Sequence, residues 1–508
     1  MKLNKLQNTR QNLIFGISLK IYQILLPFIF RSIMVYTLGV QYLGLNSLFA
    51  SVLQVLNLAE LGVGSAMVFS MYKPIAENDS DKICALMQLY RIYYRIIGAV
   101  ILIFGLFLTP VIPKLINGEV PGNINIYTLY LLNLAATVLT YWLFAYKNSV
   151  LQAHQQQAVI SKVTIATDTI KYLLQLIALC TFHNYYYYVI ALLLSQMLCN
   201  ILTAMVSHKM YPQYRAKGRL SREETSAINH RILDLFTAKL GGVIVNSADT
   251  IVISAFLGLK LLAVYQNYFY IISAVMSFIT ILNSSVLAGI GNSMLTKSRE
   301  ENFGDFKNFI FIEFWIFGFC ICCFSSLFQP FMNLWMGSDL MLDYLTVVLL
   351  CLHFLGYEYV MAMSVYKDAS GIWHEDRFRP LLSGIANLGL NLVLVNIAGL
   401  YGIVLSTILS IYLISAPWIT KNLFHLVFAE ESLSAYFRDI LFYLLVTAGT
   451  AILVNVLCCF IPDSGIAHFI LKLIINVLVS NGLFLLAYHR LPCCRQSIGL
   501  AKRMLLRK

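Results

Sequence analysis

The sequence predicts an all-α integral membrane protein with about fourteen transmembrane helices. They form two six-helix lobes with an internal repeat, plus two extra C-terminal helices. Of the 508 residues, 59% are hydrophobic and only 12% are charged, and the mean hydropathy is +0.75, whereas a soluble domain has about 25% charged residues. Apolar segments long enough to cross a bilayer recur along the whole chain, and basic residues concentrate in alternate loops. These observations exclude an ordinary soluble protein.

Each predicted span is a continuous apolar window bounded by polar residues, proline or glycine. Helices are predicted because a barrel strand needs only about 10 alternating residues, and these windows are longer and uniformly apolar. The first window follows MKLNKLQNTRQ and has no small-residue cleavage site, so we interpret it as a retained helix and not a signal peptide. The windows are 12–38, 43–71, 86–109, 124–150, 157–181, 186–207, 231–257, 262–290, 308–332, 342–366, 380–397, 400–425, 437–460 and 467–488.

The distribution of basic residues predicts how the chain is oriented. Outside the spans, only Lys114 and Lys260 fall in loops opposite the N-terminus, and all other lysines and arginines lie on the N-terminal side. The positive-inside rule therefore places both termini in the cytoplasm. The net charge of +12 is then mainly a topology signal, and no binding to nucleic acid is predicted.

The loops predict the domain organisation. The external loops are short, the longest covering about 110–125, so they have no room for a soluble catalytic domain and the protein is not expected to be an enzyme. The one long polar connection, 207–230, follows the sixth span. We expect an N-terminal lobe at 1–207, a cytoplasmic linker at 208–230, a C-terminal lobe at 231–425, and spans 13 and 14 with a basic tail at 426–508.

Two segments indicate the internal repeat. IMVYTLGVQYLGLNSLF (33–49) ends span 1 and begins span 2, and VISAFLGLKLLAVYQNYF (252–269) holds the corresponding place after the linker. Aligning Gly39 with Gly258 gives both segments an apolar helix, a Leu-Gly pair, a short turn and a new helix. Two six-helix lobes related by a repeat are typical of transporters that rock about a central site.

Charged residues inside the spans are the candidate functional residues. An ionised side chain at the bilayer centre costs about 2.5–3.5 kcal/mol, so such residues are expected to face protein or a water-filled cavity. The basic ones are Lys20, Arg31, Arg91, Arg95, Lys171, Lys239 and Lys472, and acidic ones include Glu60, Asp168, Asp249, Glu313 and Glu358.

Span 1 is predicted to present a basic face. Lys20 and Arg31 are eleven residues apart, which leaves them about 20° apart around a helix. Pro27 lies between them and is expected to kink the span. The alternative is that both side chains snorkel to opposite interfaces. A basic inner face favours an anionic guest, such as a lipid with a phosphate or diphosphate head.

Three acidic residues are candidates for ion coupling. Asp249 lies near the middle of span 7, with no basic neighbour along the helix to neutralise it. Asp168 can pair with Lys171 one turn away on span 5, so a structural ion pair and a functional site both stay open. Glu60, in NLAELGVGS, is equally compatible with helix packing and with ion coupling.

Other residues receive structural interpretations. Arg91 and Arg95, flanked by Tyr90, Tyr93 and Tyr94, are expected to anchor the cytoplasmic end of span 3 at the membrane interface. Glu313 and Glu358 stay open between structure and function. No metal or other cofactor is expected, because the cysteines stand without a histidine or second pair at ligand spacing and no GxxxxGK[ST] loop is present.

Two stretches resemble a known family. YLGLNSLFASVLQVLNLAELGVGSAMVFSMYKPIAENDSDKI (42–83) resembles the span-2 signature of bacterial polysaccharide repeat-unit flippases of the Wzx type, in the polysaccharide transporter branch of the MOP exporter superfamily. LGGVIVNSADTIVISAFLGLKLLAVYQNYFYII (240–272) is similar to their span-7 and span-8 signature, including Asp249, and Arg10 to Asn12 match an N-terminal RxN.

The resemblance implies a function and a location. It implies translocation of undecaprenyl-diphosphate-linked oligosaccharide repeat units, of the O-antigen (lipopolysaccharide) or teichoic-acid type, across the bacterial inner (plasma) membrane. The implied mechanism is alternating access driven by a proton or sodium gradient or by membrane potential. Expected partners are the lipid-linked oligosaccharide, membrane lipids, and the polymerase and glycosyltransferases of the same pathway.

These inferences give one hypothesis for the site. Arg31, Lys20, Lys239 and Lys171 bind the diphosphate and glycan, and Asp249, with Glu60 or Asp168 as alternatives, couples an ion. The alternative functions are another MOP-type exporter (a lipid II flippase or a multidrug or cation antiporter) and a membrane polysaccharide polymerase or ligase. The last two helices of the related lipid II flippase form a lipid groove, and the resemblance raises a lipid groove as one possible role for spans 13 and 14.

Overall fold

The computed structural model describes residues 2–118, 120–463, 465–497 and 499, which contain helices and no strand. Short 3₁₀ helices lie at Asn57–Glu60, Thr109–Leu115, Ala145–Lys147 and Ser338–Leu340, and a π-helical turn lies at Ile411–Ser415. The α-helices are α1 (Lys2–Thr37), α2 (Val40–Leu56), α3 (Val63–Ala76), α4 (Ser80–Leu108), α5 (Ile126–Trp142), α6 (Asn148–Ala153), α7 (Gln157–Cys180), α8 (Tyr185–Met210), α9 (Arg222–Leu257), α10 (Leu259–Thr296), α11 (Arg299–Met336), α12 (Tyr344–Ala369), α13 (Arg379–Ser410), α14 (Ala416–Leu426), α15 (Leu433–Cys459) and α16 (Gly465–Tyr488).

The number of spans agrees with the sequence prediction. Within the described residues, twelve helices are long and apolar enough to cross a membrane, and the bent pair Ile126–Trp142 and Ala145–Ala153 adds a thirteenth. The prediction of an all-α membrane protein is therefore confirmed, and the remaining predicted span lies inside the longest of the twelve segments.

That segment, Arg379–Leu426, contains two antiparallel helices. Its backbone breaks at Gly399, which has φ 55° and ψ −128°. Asn387 Nδ2 donates a hydrogen bond to Thr407 Oγ1 at 2.8 Å, although residues so far apart on one straight helix would be about 30 Å apart. The chain therefore reverses at Gly399, between predicted windows 380–397 and 400–425, which brings the number of spans in the described residues to fourteen.

Two predicted spans are not single helices. Span 2 consists of α2, the 3₁₀ helix Asn57–Glu60 and α3. In span 4, the two helices of the bent pair differ in direction by 47°, and Phe144 between them has φ 57°. By contrast, Pro27 lies inside α1, which continues as one helix on both sides.

The chain divides into two compact units, Met1–Ala263 and Val264–Lys508. In the first unit, α7 packs on α1 and α8, and α9 packs on α2 and α3. Between the sixth and seventh spans, α8 ends at Met210 and α9 begins at Arg222, with a capping box formed by Ser221 and Glu224.

In the second unit, α11 packs on α12, α15 and α16. Aromatic side chains fill these contacts. Phe306 meets Tyr366 of α12 at a centroid distance of 4.9 Å and Tyr436 of α15 at 5.7 Å, and Phe311 meets Tyr488 of α16 at 5.4 Å. The helices that carry the buried acidic residues of this unit are therefore fixed by an extensive apolar core.

Candidate functional site in the N-terminal unit

A polar cavity of about 640 Å³ lies within the first unit. Its walls come from the break in span 2, from the bend in span 4 and from α3, α4, α6, α7, α8 and α9. Charged and polar side chains contribute much of the lining, together with a few aromatic faces. The lining residues that carry polar groups include Glu60, Ser65, Tyr72, Tyr90, Tyr94, Asn148, Ser149, Gln152, Thr164, Asn200, Thr203 and Lys239.

The break in span 2 places Glu60 in this cavity. The 3₁₀ helix ends at Glu60, and Gly62 has φ 88° before α3 begins. A Cβ on Gly62 would lie 2.7 Å from Leu235 Cβ and 2.9 Å from the carbonyl oxygen of Ile232. The glycine thus permits both the left-handed conformation and the close approach of α9, and the carboxylate faces the cavity from the broken segment.

Two tyrosines on α4 are linked to this carboxylate by a chain of hydrogen bonds. Tyr94 donates its hydroxyl hydrogen to Glu60 Oε1 at 3.3 Å, and Tyr90 donates to the Tyr94 hydroxyl at 2.6 Å. On α5, Tyr141 donates to Asn57 Oδ1 at 3.2 Å. The Tyr90 and Tyr94 rings pack 4.3 Å apart. Tyr90 and Tyr94, which the sequence analysis named only as neighbours of Arg91 and Arg95, thus face this cavity.

Lys239 is the lysine of the lining. It lies on α9, its side chain is exposed, and Nζ donates a hydrogen bond to Ser65 Oγ at 3.2 Å. It also interacts electrostatically with Glu60. Nearer the start of α9, Arg231 contacts Ser70 at 3.1 Å and stacks over Phe69 at 4.4 Å. These contacts hold α9 against α3, so the ammonium group stays at the cavity wall.

One acceptor in the lining has no partner. Asn148 Oδ1, at the start of α6, makes no hydrogen bond. The neighbouring amide of Asn200 donates to the carbonyl oxygen of Thr140 at 2.8 Å. An unsatisfied buried acceptor costs about 1–3 kcal/mol, so a ligand that donates a hydrogen bond here would recover that energy.

The other predicted site residues do not line this cavity. Asp168 and Lys171 form an ion pair at 2.7 Å on α7, and Lys171 Nζ lies 4.3 Å from the centre of the Tyr172 ring. Arg31 on α1 interacts electrostatically with Tyr188, and Lys20 is half-buried on the same helix. Of the four predicted basic residues, the lining contains only Lys239.

Asp249 is buried on α9, with 7% of its surface exposed, and is not part of the lining. It follows Lys239 by ten residues, which is about 15 Å along a helix. Of the three predicted acidic residues, Glu60 alone faces the cavity. Glu60 and Lys239 were thus identified from sequence as intramembrane charges, whereas Tyr90, Tyr94, Asn148 and Asn200 were missed as site residues.

The fold can be compared with solved structures. No protein-family model and no curated protein matches the sequence. The structure of the lipid II flippase MurJ in an inward closed conformation matches with a TM-score of 0.64 and 15% identity, over 94% of this chain and 99% of that one. An inward-facing multidrug resistance MATE family transporter of the MOP superfamily matches with a TM-score of 0.62 and 16% identity, over 80% and 97%.

A MOP superfamily transporter from Pyrococcus furiosus also matches, with a TM-score of 0.53 and 15% identity, over 82% of this chain and 96% of that one. The chain has the fold of MOP superfamily transporters. The fold is shared by flippases and multidrug transporters, so it does not by itself identify a function. The cavity chemistry must supply that part of the inference.

Proposed function

We propose that this protein is a flippase that carries a lipid-linked oligosaccharide across a membrane by alternating access, with an undecaprenyl-diphosphate-linked repeat unit as its cargo. The observation that carries the proposal is the cavity in the first unit, where one exposed ammonium group stands among amides, hydroxyls and aromatic rings. The proposal also draws on the sequence resemblance to polysaccharide repeat-unit flippases.

The cavity lining suits a sugar with an anionic end. Sugar hydroxyls can donate to the unpartnered Asn148 Oδ1 and accept from side-chain amides such as that of Gln152. Aromatic rings such as that of Tyr72 offer apolar faces to the C–H side of a sugar ring. Lys239 supplies a cation for phosphate oxygens.

The same lining fits a cationic drug less well. Glu60 is the carboxylate of the lining, and it interacts with both Tyr94 and Lys239. A lysine beside the carboxylate repels a second cation. A multidrug antiporter is therefore the second candidate, supported by the fold similarity, and the experiment below includes an outcome that would favour it.

Location and partners belong to the same proposal. The concentration of basic residues in alternate loops supports a plasma-membrane protein with both termini in the cytoplasm. The cargo would be made by glycosyltransferases on the cytoplasmic side and used by a polymerase outside. Lys20, Arg31 and Lys171 stay proposed phosphate contacts, and Asp249, Glu60 and Asp168 stay proposed ion-coupling residues.

The test is deletion of the gene in its own cell, followed by extraction and analysis of lipid-linked glycans. Deletion should cause a complete lipid-linked repeat unit to accumulate on the cytoplasmic face. Lys239→Met should reproduce the accumulation, because the cavity loses its cation, and Lys239→Arg should largely restore export. Lys260→Met is the matched control, since Lys260 is exposed at the start of α10 and does not line the cavity.

Two outcomes would contradict the proposal. If deletion leaves lipid-linked glycans unchanged but makes cells sensitive to cationic dyes, the cargo is a drug. If complete repeat units appear outside the cell but are not joined, the protein is a polymerase or ligase.

A further inference from the structure

The second unit contains a pair of acidic residues that the cavity does not use. Glu313 lies on α11 with 3% of its surface exposed, and Glu358 lies on α12 with none exposed. The two carboxyl groups are close enough to interact electrostatically. Both lie inside uninterrupted helices, so neither is placed at a water-exposed turn.

The carboxyl groups are poorly satisfied. Both oxygens of Glu358 and Oε2 of Glu313 are buried without a hydrogen-bond partner. In the described part of the second unit, no lysine, arginine or histidine interacts electrostatically with either carboxyl group. The titratable groups that face Glu358 are Glu313, Tyr357 on its own helix and Cys320 on α11.

A third buried side chain points to a ligand at the same place. Asn283 on α10 is 6% exposed, and its side chain is close enough to Glu313 to stabilise that carboxylate, but no contact of its nitrogen or oxygen meets full hydrogen-bond geometry. Asn283 is thirteen residues from the end of α10, Glu313 fourteen from the start of α11, and Glu358 eleven from the end of α12. All three therefore lie about 17–21 Å along their helices from the side on which α10 and α12 end and α11 begins.

Electrostatics requires a positive ligand at such a pair. Two buried carboxylates with no cation between them repel one another and lose their hydration, so both cannot stay ionised. A proton neutralises one group and gives it a donor for the other carboxyl or for the Asn283 oxygen. A metal or sodium ion would need more oxygens, but the main-chain carbonyls here are engaged in uninterrupted helices.

We propose that Glu313 and Glu358, with Asn283, form a proton-binding site in the second unit, and that this site takes up the ion that drives transport. The second clause rests on the proposed flippase function, whereas the first does not. The site differs from the predicted coupling residues Asp249, Glu60 and Asp168, all of which lie in the first unit.

Infrared spectroscopy of the purified full-length protein tests the proton directly. A buried protonated carboxyl gives a carbonyl stretching band at neutral pH, where exposed carboxyls are ionised. The wild type should show this band, and it should disappear on raising the pH. Glu358→Gln and Glu313→Gln should each remove or shift it, because each replaces one of the two carboxyl groups of the site. Glu300→Gln is the matched control, since Glu300 is exposed in the first turn of α11.

Each outcome decides the proposal. A wild type without the band, or a band unchanged in both glutamine variants, would overturn the proton site. A band that is lost when sodium chloride replaces choline chloride would show a sodium site instead. Thermal unfolding of the same samples shows whether a glutamine variant has misfolded. In that case Asn283→Asp, which keeps the site polar, serves as the second variant. It should alter the pH at which the band titrates.

Export of the glycan tests the second clause separately. Glu358→Gln should abolish export in cells while the protein is made at the normal level. If the band is present but no lipid-linked glycan depends on this protein, the proton site stands and the proposed cargo is wrong. If the glycan depends on the protein but Glu358→Gln exports it normally, the coupling clause is wrong.

Discussion

Gly39 and Gly258 have the same unusual backbone conformation, with φ 114° and ψ 161° at Gly39 and φ 90° and ψ 169° at Gly258. Each stands between two spanning helices, α1 and α2 in one case and α9 and α10 in the other. This region of φ and ψ is accessible essentially to glycine alone. The alignment of Gly39 with Gly258 in the sequence repeat thus corresponds to matching turns in the structure.

The first prediction follows from these turns. Gly39→Ala and Gly258→Ala should each lower the free energy of unfolding by about 1–3 kcal/mol, because alanine is strained in this conformation. Gly258→Ala should be the worse of the two, since its Cβ would also lie 2.8 Å from the carbonyl oxygen of Asn117, whereas nothing lies within 4 Å at Gly39. Unfolding of the purified protein in detergent measures both effects.

Gly389→Ala is the control for this pair. Gly389 lies inside α13 with nothing within 4 Å of an added Cβ, and alanine is favoured over glycine in a helix. Gly389→Ala should therefore leave the free energy of unfolding unchanged or raise it. Equal effects at Gly39, Gly258 and Gly389 would show that the turn conformation is not what requires glycine.

The second prediction concerns the connection between α8 and α9. The His154 ring packs 4.2 Å from Tyr211 and 5.7 Å from Tyr214. Burial lowers the pKa of His154, so the folded protein favours the neutral ring. The stability from this packing is therefore complete above the unfolded pKa, about 6.5, and is lost as the pH falls through the lower folded value.

Wild-type protein should thus lose more stability between pH 7 and pH 5 than His154→Gln, which cannot take up this proton. Thermal unfolding across the pH range measures the difference. His208→Gln replaces an exposed histidine and should lose as much stability between pH 7 and pH 5 as the wild type does. A His154→Gln variant with the same pH dependence as the wild type would show that His154 does not contribute.

The fold was largely predictable because apolar window length alone determines how many helices cross a bilayer. Even the short gap between windows 380–397 and 400–425 corresponds to the break at Gly399. The breaks at Asn57–Glu60 and around Phe144 were not predicted, since hydropathy does not change where the backbone conformation changes within an apolar segment. These two breaks shape the cavity.

The site was only partly predictable for a related reason. Intramembrane charge is visible in sequence, which is why Glu60 and Lys239 were selected. Tyr90 and Tyr94 stand beside arginines near a span end, where tyrosine usually marks the interface. Which helix face meets a cavity depends on packing between helices distant in sequence. Glu313 and Glu358 could be named as charges, but their pairing across α11 and α12 could not.

The third prediction tests the ion pair on α7. The Lys171 and Asp168 side chains are 15% and 17% exposed, so Lys171→Met should destabilise the protein by about 3 kcal/mol by leaving a carboxylate unpaired in the span. The double variant Lys171→Met with Asp168→Leu should recover most of that loss. Unfolding of the wild type, of each single variant and of the double variant in detergent supplies the four values of the cycle.

Export measured on the same variants separates the two interpretations of this pair. If it is structural, the double variant exports glycan as the wild type does. If export is lost in the double variant although stability is recovered, Lys171 or Asp168 has the direct role in binding or ion coupling that the sequence analysis proposed.

The fourth prediction concerns competition for Lys239. Glu60 interacts with Lys239 and also accepts a hydrogen bond from Tyr94. Without the Tyr94 hydroxyl, the carboxylate should shift towards the ammonium group and neutralise it. Tyr94→Phe should therefore lower glycan export about tenfold, since a hydrogen bond to a charged group contributes about 1.5–3 kcal/mol. The accumulated lipid-linked glycan measures the loss.

A second substitution identifies the cause of that loss. Glu60→Gln alone is measured first, because export is lost in that variant if Glu60 couples the ion. If Glu60→Gln alone exports normally and Tyr94→Phe acts by releasing Glu60 onto Lys239, then adding Glu60→Gln removes the competing charge and should restore export. If Tyr94→Phe instead disturbs packing against Tyr90, Glu60→Gln cannot repair it. Tyr93→Phe is the matched control on α4, because Tyr93 donates to Asn229 at 2.6 Å and lies outside the cavity lining. Where Glu60→Gln alone exports normally, its failure to restore export in Tyr94→Phe would contradict the competition. Equal export by Tyr94→Phe and Tyr93→Phe would exclude any role for the Tyr94 hydroxyl.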